Sequence, residues 1–242
     1  VSSSSINIPE ISQSVQKLMD SLNGTEIQSF SSFSLLDFIK TDNFGYISND
    51  DLTVIASLLY ATVLKTNFII DERNTGERLH EDVAIGYEAA INQELSIDFI
   101  FTNPNKTTFT LQTYESSNVL TVSLVGMPFI YSYEVNASPV TYYNPRKVIQ
   151  FSAFVATGAI EVLEEGISGQ EVNINKTIFE GTNEIQSYEV SEDYYGPVYR
   201  VELHPLKKDE VTESNNGSSP NELEPSPGSE DTNDGQTNDT TE

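Results

Sequence analysis

The sequence predicts an α+β fold: N-terminal helices with an antiparallel sheet, then a small all-β module and a disordered acidic tail. Three features carry this reading. Apolar residues recur at helical spacing within the first 65 positions, they alternate with period two from Leu95 onward, and apolar and basic residues nearly vanish after Lys208. The corresponding division is an α+β domain over 1–138, a linker over 139–147, a β module over 148–207 and a tail over 208–242.

Ile11, Val15, Leu18 and Leu22 lie on one helical face, and Asn23-Gly24 supplies a left-handed stop. A second helix is expected from about Asp50 to Lys65. Ser48 is its N-cap with Asp51 three residues on, Leu52, Ile55, Ala56, Leu59 and Val63 form its apolar stripe, and Asn67 suits its end. Leu95, Ile97, Phe99 and Phe101 then alternate, followed by Phe109 and Leu111, and by Leu120, Val122 and Leu124. Turns at Asn103-Pro104-Asn105 and Ser116-Ser117-Asn118 join these runs into an antiparallel meander. Pro139 and Pro145 bracket the linker. Beyond it, 151–163, 171–179, 185–190 and 198–203 read as strands, with Gly158, Gly166, Gly169, Gly181 and Gly196 near turns.

From Asp209 to Glu242 there are ten acids, no base and no aromatic, with Val211 and Leu223 the large apolar side chains. Such a segment buries too little to offset its ordering entropy. The whole chain carries a net charge of -25, which repels nucleic acid and anionic membranes. No run of apolar residues is long enough to span a bilayer, so no membrane contact is expected of this segment. The start at Val1, with a serine run and no methionine, reads as processed or truncated, so that an anchor or signal upstream is compatible with it.

Chemistry is sparse. There is no cysteine, which removes disulfides, thiolate metal sites and thiol nucleophiles together. His80 and His204 are the two imidazoles, too few and too far apart for a usual zinc site, and no G-x-S-x-G elbow accompanies them. No metal or cofactor is therefore expected. The stretch from Asp37 to Leu52, DFIKTDNFGYISNDDL, resembles a calcium loop with Gly45 at the sharp turn. Its first and third ligand positions would be Lys40 and Phe44, which cannot coordinate calcium. A turn leading into a capped helix is the simpler reading. Tyrosines cluster around the linker and the end of the β module: Tyr142, Tyr143, Tyr194, Tyr195 and Tyr199 are candidate glycan-stacking or interface anchors.

Three stretches together resemble the VanW-like family, named for an accessory gene in vancomycin-resistance clusters. They are Leu22-Asn23-Gly24-Thr25 with Phe33-Ser34-Leu35, similar to L-N-G-T and F-S-F; Leu59-Tyr60 through Asp71-Glu72-Arg73, similar to a segment ending V-E-R; and Ile85-Gly86-Tyr87-Glu88-Ala89 with Asp98 to Asn103, similar to G-x-D-A and D-x-x-F-x-N. The resemblance spans roughly residues 6 to 130. Relatives carry G-G-G-[IV]-C-Q-V-S-T before the Leu-Tyr pair. Here that run is Asn49-Asp50-Asp51-Leu52-Thr53-Val54-Ile55-Ala56-Ser57, so the cysteine position holds Thr53, and Glu88 replaces the aspartate of G-x-D-A. The family's histidines after V-E-R correspond to Asn74-Thr75-Gly76-Glu77. The region from Val148 to Leu203 is similar to the G-five module, through Glu164-Glu165-Gly166-Ile167-Ser168-Gly169, Glu189-Val190-Ser191 and Pro197-Val198-Tyr199.

The resemblance implies a non-catalytic, extracytoplasmic cell-envelope accessory protein of a Gram-positive-type bacterium. It would bind peptidoglycan or a partner protein and lie at the cell surface or in the wall, secreted or tethered. Thr53 and Glu88 mark a degenerate family site. A cell-wall enzyme with a non-cysteine centre, or a structural envelope or spore-layer component, is the alternative.

Overall fold

The serine run that opens the chain is a strand, β1 (Ser2–Asn7). Its outward hydroxyls bond across to the partner strand, Ser3 to Ser123 at 2.9 Å and Ser5 to Thr121 at 2.8 Å. The structure is a computed structural model and describes residues 1–41 and 44–206. After β1 come α1 (Gln13–Leu22), β2 (Glu26–Ile27), β3 (Ser32–Ser34), α2 (Leu35–Thr41) and α3 (Asn49–Val63). Four further strands complete this part: β4 (Ile69–Glu72), β5 (Ile100–Thr102), β6 (Phe109–Ser116) and β7 (Val119–Val125).

Both expected helices form. Ser12 caps α1 by accepting from Val15 N at 3.1 Å, and Gly24 follows its end at φ +86°, a conformation few other residues hold cheaply. Ser48 caps α3 through Asp51 N at 3.0 Å, so the calcium-like stretch is a turn into a capped helix where it is described; its Asp42 lies outside the described residues. Asp51 is also committed structurally, accepting from Ser12 at 3.0 Å and Ser14 at 2.7 Å.

The stripe expected on α3 is too narrow. Thr53, Val54, Ser57, Leu58, Tyr60 and Thr62 are buried along with it, so the helix is enclosed on nearly every side. It lies between α1, the sheet ordered β1-β7-β6-β2 and an aromatic layer in which Tyr60 meets Phe99 edge-on at 5.9 Å. The helix stops through Thr66, which donates to Val63 O at 2.6 Å and accepts from Phe68 N at 3.0 Å; Asn67 pairs with Asn105 instead.

The expected meander is divided between two sheets. β6 and β7 form a hairpin whose turn, Ser117-Asn118, has both φ angles positive, but β5 pairs with β3 and β4 in a separate three-stranded sheet. Leu95 is 69% exposed, because the alternation around it belongs to a tight turn closed by the Asn92–Ile97 bridge. α2 carries no period that marks it. It starts where Asp98, from a distant loop, accepts from Leu36 N at 3.0 Å and Ser34 Oγ at 2.5 Å.

Strands alone follow: β8 (Ser132–Ala137), β9 (Thr141–Tyr143), β10 (Lys147–Ser152), β11 (Glu161–Glu164), β12 (Gly169–Glu180), β13 (Asn183–Tyr195) and β14 (Arg200–Pro205). β12 pairs with β13 along one edge and with β8 and then β9 along the other, so the expected linker contains a paired strand. The run expected at 151–163 is broken into β10 and β11, which flank β14 in parallel and antiparallel sense. That small sheet is held by charge: Glu202 accepts from Arg200 at 2.8 Å, Lys147 at 2.9 Å and His204 at 3.0 Å. These partners, Arg200 foremost, hold its carboxyl down to about 2.

Strand outweighs helix, 43% to 16%, so the α+β expectation becomes a mostly β fold with three helices among the described residues. No helix among the described residues is long and apolar enough to cross a membrane. The tail expected over 208–242 lies outside the described residues.

Candidate functional site

The register of β12 and β13 sorts the candidate tyrosines onto opposite faces. Gln170 lies opposite Tyr195 and Tyr142, while Glu171 lies opposite Tyr194 and Gly169 opposite Tyr143. Because side chains alternate along a strand, Tyr143, Glu171, Asn173, Glu192 and Tyr194 share the outward face. Val172, Ile174, Asp193 and Tyr195 share the inward face, which packs on the N-terminal segment.

On the outward face the rings of Tyr143 and Tyr194 meet edge-on at 5.5 Å. Tyr143 donates its hydroxyl to Glu171 at 2.7 Å, and that bond pushes the phenol pKa up. Asn173 donates to Glu189 at 2.7 Å beside them. Tyr194 is half exposed and Tyr143 a little less, giving an open, rigid pair of rings edged by carboxylates and an amide. Tyr142 is exposed but sits on the other side of the ladder. Tyr199, also exposed, precedes β14 and makes no ring contact with the pair among the described residues.

Tyr195 departs from the expected solvent-facing role. It is 5% exposed and donates its hydroxyl to Glu88 at 2.8 Å. Burial, then the Glu88 charge, raises the phenol pKa well above its ordinary value. Glu88 is 1% exposed and also accepts from Gly76 N at 2.8 Å and His80 N at 2.9 Å, so its carboxylate shapes the 76–80 loop. Arg73 lies alongside. It donates to Glu88 O at 2.5 Å, grips both oxygens of Asp193 at 2.6 and 2.5 Å, and stacks over Tyr60 at 4.8 Å. Sequence reasoning missed Arg73 and Asp193; the V-E-R element was the available signal.

Thr53 and its neighbour one turn on, Ser57, hold the 89–91 segment that follows Glu88. Thr53 Oγ1 accepts from Ile91 N at 3.0 Å and Ser57 Oγ from Ala89 N at 2.9 Å. Thr53 is buried, and no imidazole or carboxylate bonds to it among the described residues. His80 accepts from Asp82 N at Nδ1, and His204 bonds Glu202. Among the described residues no group of three or more His, Cys, Asp and Glu side chains gathers as a metal site.

Residues 52–125 match the family described as VanW like protein. The match includes Thr53 and Glu88 and agrees with the resemblance read from the motifs. Among solved structures, the chain is similar to an IgA1 protease G5 domain at 24% identity, covering 32% of this chain and 92% of that one, with a TM-score of 0.28. It is also similar to HP0197-G5 at 15% identity, over 31% of this chain and 96% of that one, with a TM-score of 0.22. No curated protein matches the chain.

Proposed function

We propose that this VanW-like chain is an extracytoplasmic, non-catalytic envelope module that holds peptidoglycan glycan against the outward face of β12 and β13. The Tyr143–Tyr194 pair carries the reading. Two rings fixed edge-on present a firm apolar surface to the C–H face of a sugar, while Glu171, Asn173 and Glu192 can bond its hydroxyls. The carboxylates there disfavour polyanions and suit a neutral, hydroxyl-rich polymer. The bonds already made by Thr53 and Glu88 support a bracing role for the degenerate family site, since neither group is left free to act as nucleophile or base.

The test is retention on purified peptidoglycan stripped of teichoic acid. The chain is expected to be retained at moderate salt, and Tyr143→Ala and Tyr194→Ala each to weaken retention roughly fivefold. No retention of the unaltered chain at low or moderate salt removes glycan binding and leaves a partner protein as the ligand.

A further inference from the structure

A cleft of about 290 Å³ opens on the inward side of the β12–β13 ladder, where the loop braced by Glu88 faces the ends of those strands. Arg78, His80 and Glu81 line it from the loop, and Ser168 and Gln170 from the β side. The Arg78 guanidinium, the Gln170 amide and the Ser168 hydroxyl have no hydrogen-bond partner among the described residues. His80 uses Nδ1 to accept from Asp82 N, which in the neutral ring puts the proton on Nε2, free to donate. Four potential donors thus line the cleft with no protein acceptor bonded to them among the described residues, and the Glu81 carboxylate lines it beside them. Arg73 and Arg200 are ion-paired, whereas Arg78 makes no ion pair among the described residues.

The lining also selects among anions. A guanidinium fork fits a carboxylate through two parallel bonds. Leu79, Ile167 and Val198 add a small apolar wall, which suits a short side chain next to that carboxylate. Glu81 disfavours a bare anion but can accept from an amide N–H. We infer that this cleft binds the carboxyl terminus of a short peptide ending in small residues, with Arg78 on the carboxylate and Glu81 on a backbone N–H. The inference rests on this cleft alone and stands or falls apart from glycan binding on the opposite face.

Calorimetric titration of the full chain with N-acetyl-alanyl-alanine, its C-terminal amide and inorganic phosphate is the test. The free acid is expected to bind saturably, and the amide and phosphate each at least about tenfold more weakly. Arg78→Gln is expected to weaken the acid about tenfold with the melting temperature unchanged, because Arg78 is exposed and unpaired among the described residues. Gln170→Ala supplies a second variant with the same direction. Equal binding of acid and amide, phosphate binding as well as the acid, no saturable binding of the acid, or indifference to both substitutions overturns the proposal.

Discussion

Glu88 shows how one buried carboxylate can be held without a cation bonded to it. It accepts from two backbone amides and a phenol, which together replace water. Tyr195→Phe removes one of these donors and should lower unfolding free energy by about 1–2 kcal/mol, read from urea denaturation. Lys176 is the opposite case. It is 6% exposed, donates to Thr66 O at 2.5 Å and lies over the Tyr133 ring, but has no carboxylate partner among the described residues. Burial lowers its amine from 10.5 to about 8. Below the folded value both states carry the proton and the slope vanishes; between about 8 and 10 the unfolded chain holds more protons, so stability rises with pH. The rise should reach at most about 1.4 kcal/mol per pH unit and flatten in Lys176→Met, measured by denaturation at stepped pH.

Among the elements, α3 was the most legible and the most incompletely read. Its cap was plain because Ser48 and Asp51 act within one turn of each other. Its full burial was not, since a stripe in sequence cannot report the 89–91 segment packed on the polar-looking side. Thr53 and Ser57 look solvent-compatible yet satisfy the backbone of the 89–91 segment. Thr53→Val, nearly the same size, should strand Ile91 N and destabilise by about 1–3 kcal/mol while leaving peptidoglycan retention unchanged; calorimetric melting and the pulldown check both. The D-x-x-F-x-N element was legible as a pattern and opaque as a mechanism. Asp98 caps α2, Phe101 is core, and Asn103 donates to Thr107 O nearby and to Ile27 O and Gln28 O, so most of the partners are remote in sequence. The meander was misjoined for the same reason, because alternation marks a strand and not its neighbour.

Across the whole molecule, the contact between the N-terminal segment and the β12–β13 ladder was invisible to sequence pattern. Arg73 and Asp193 lie 120 positions apart and become a two-pronged pair at 11% and 1% side-chain exposure. Arg73→Met leaves Asp193 buried and unpaired and should cost about 3–5 kcal/mol, whereas Arg73→Met with Asp193→Leu should recover much of it, by chemical denaturation. The tyrosine cluster was legible only as composition. Which rings reach solvent depended on strand register, and register placed Tyr194 outward and its neighbour Tyr195 in the interior.

Gly86 closes the same seam. A Cβ there would lie 2.4 Å from Ile174 Cδ1, and the backbone stands at φ +86°. The β12–β13 hairpin is therefore not an interchangeable bead. A graft taken from another protein would have to bring an aspartate, a tyrosine and a slim aliphatic contact at the positions of Asp193, Tyr195 and Ile174. Shuffling this pair of segments through recombination would break both, and their histories should be written in substitutions that change together across the seam.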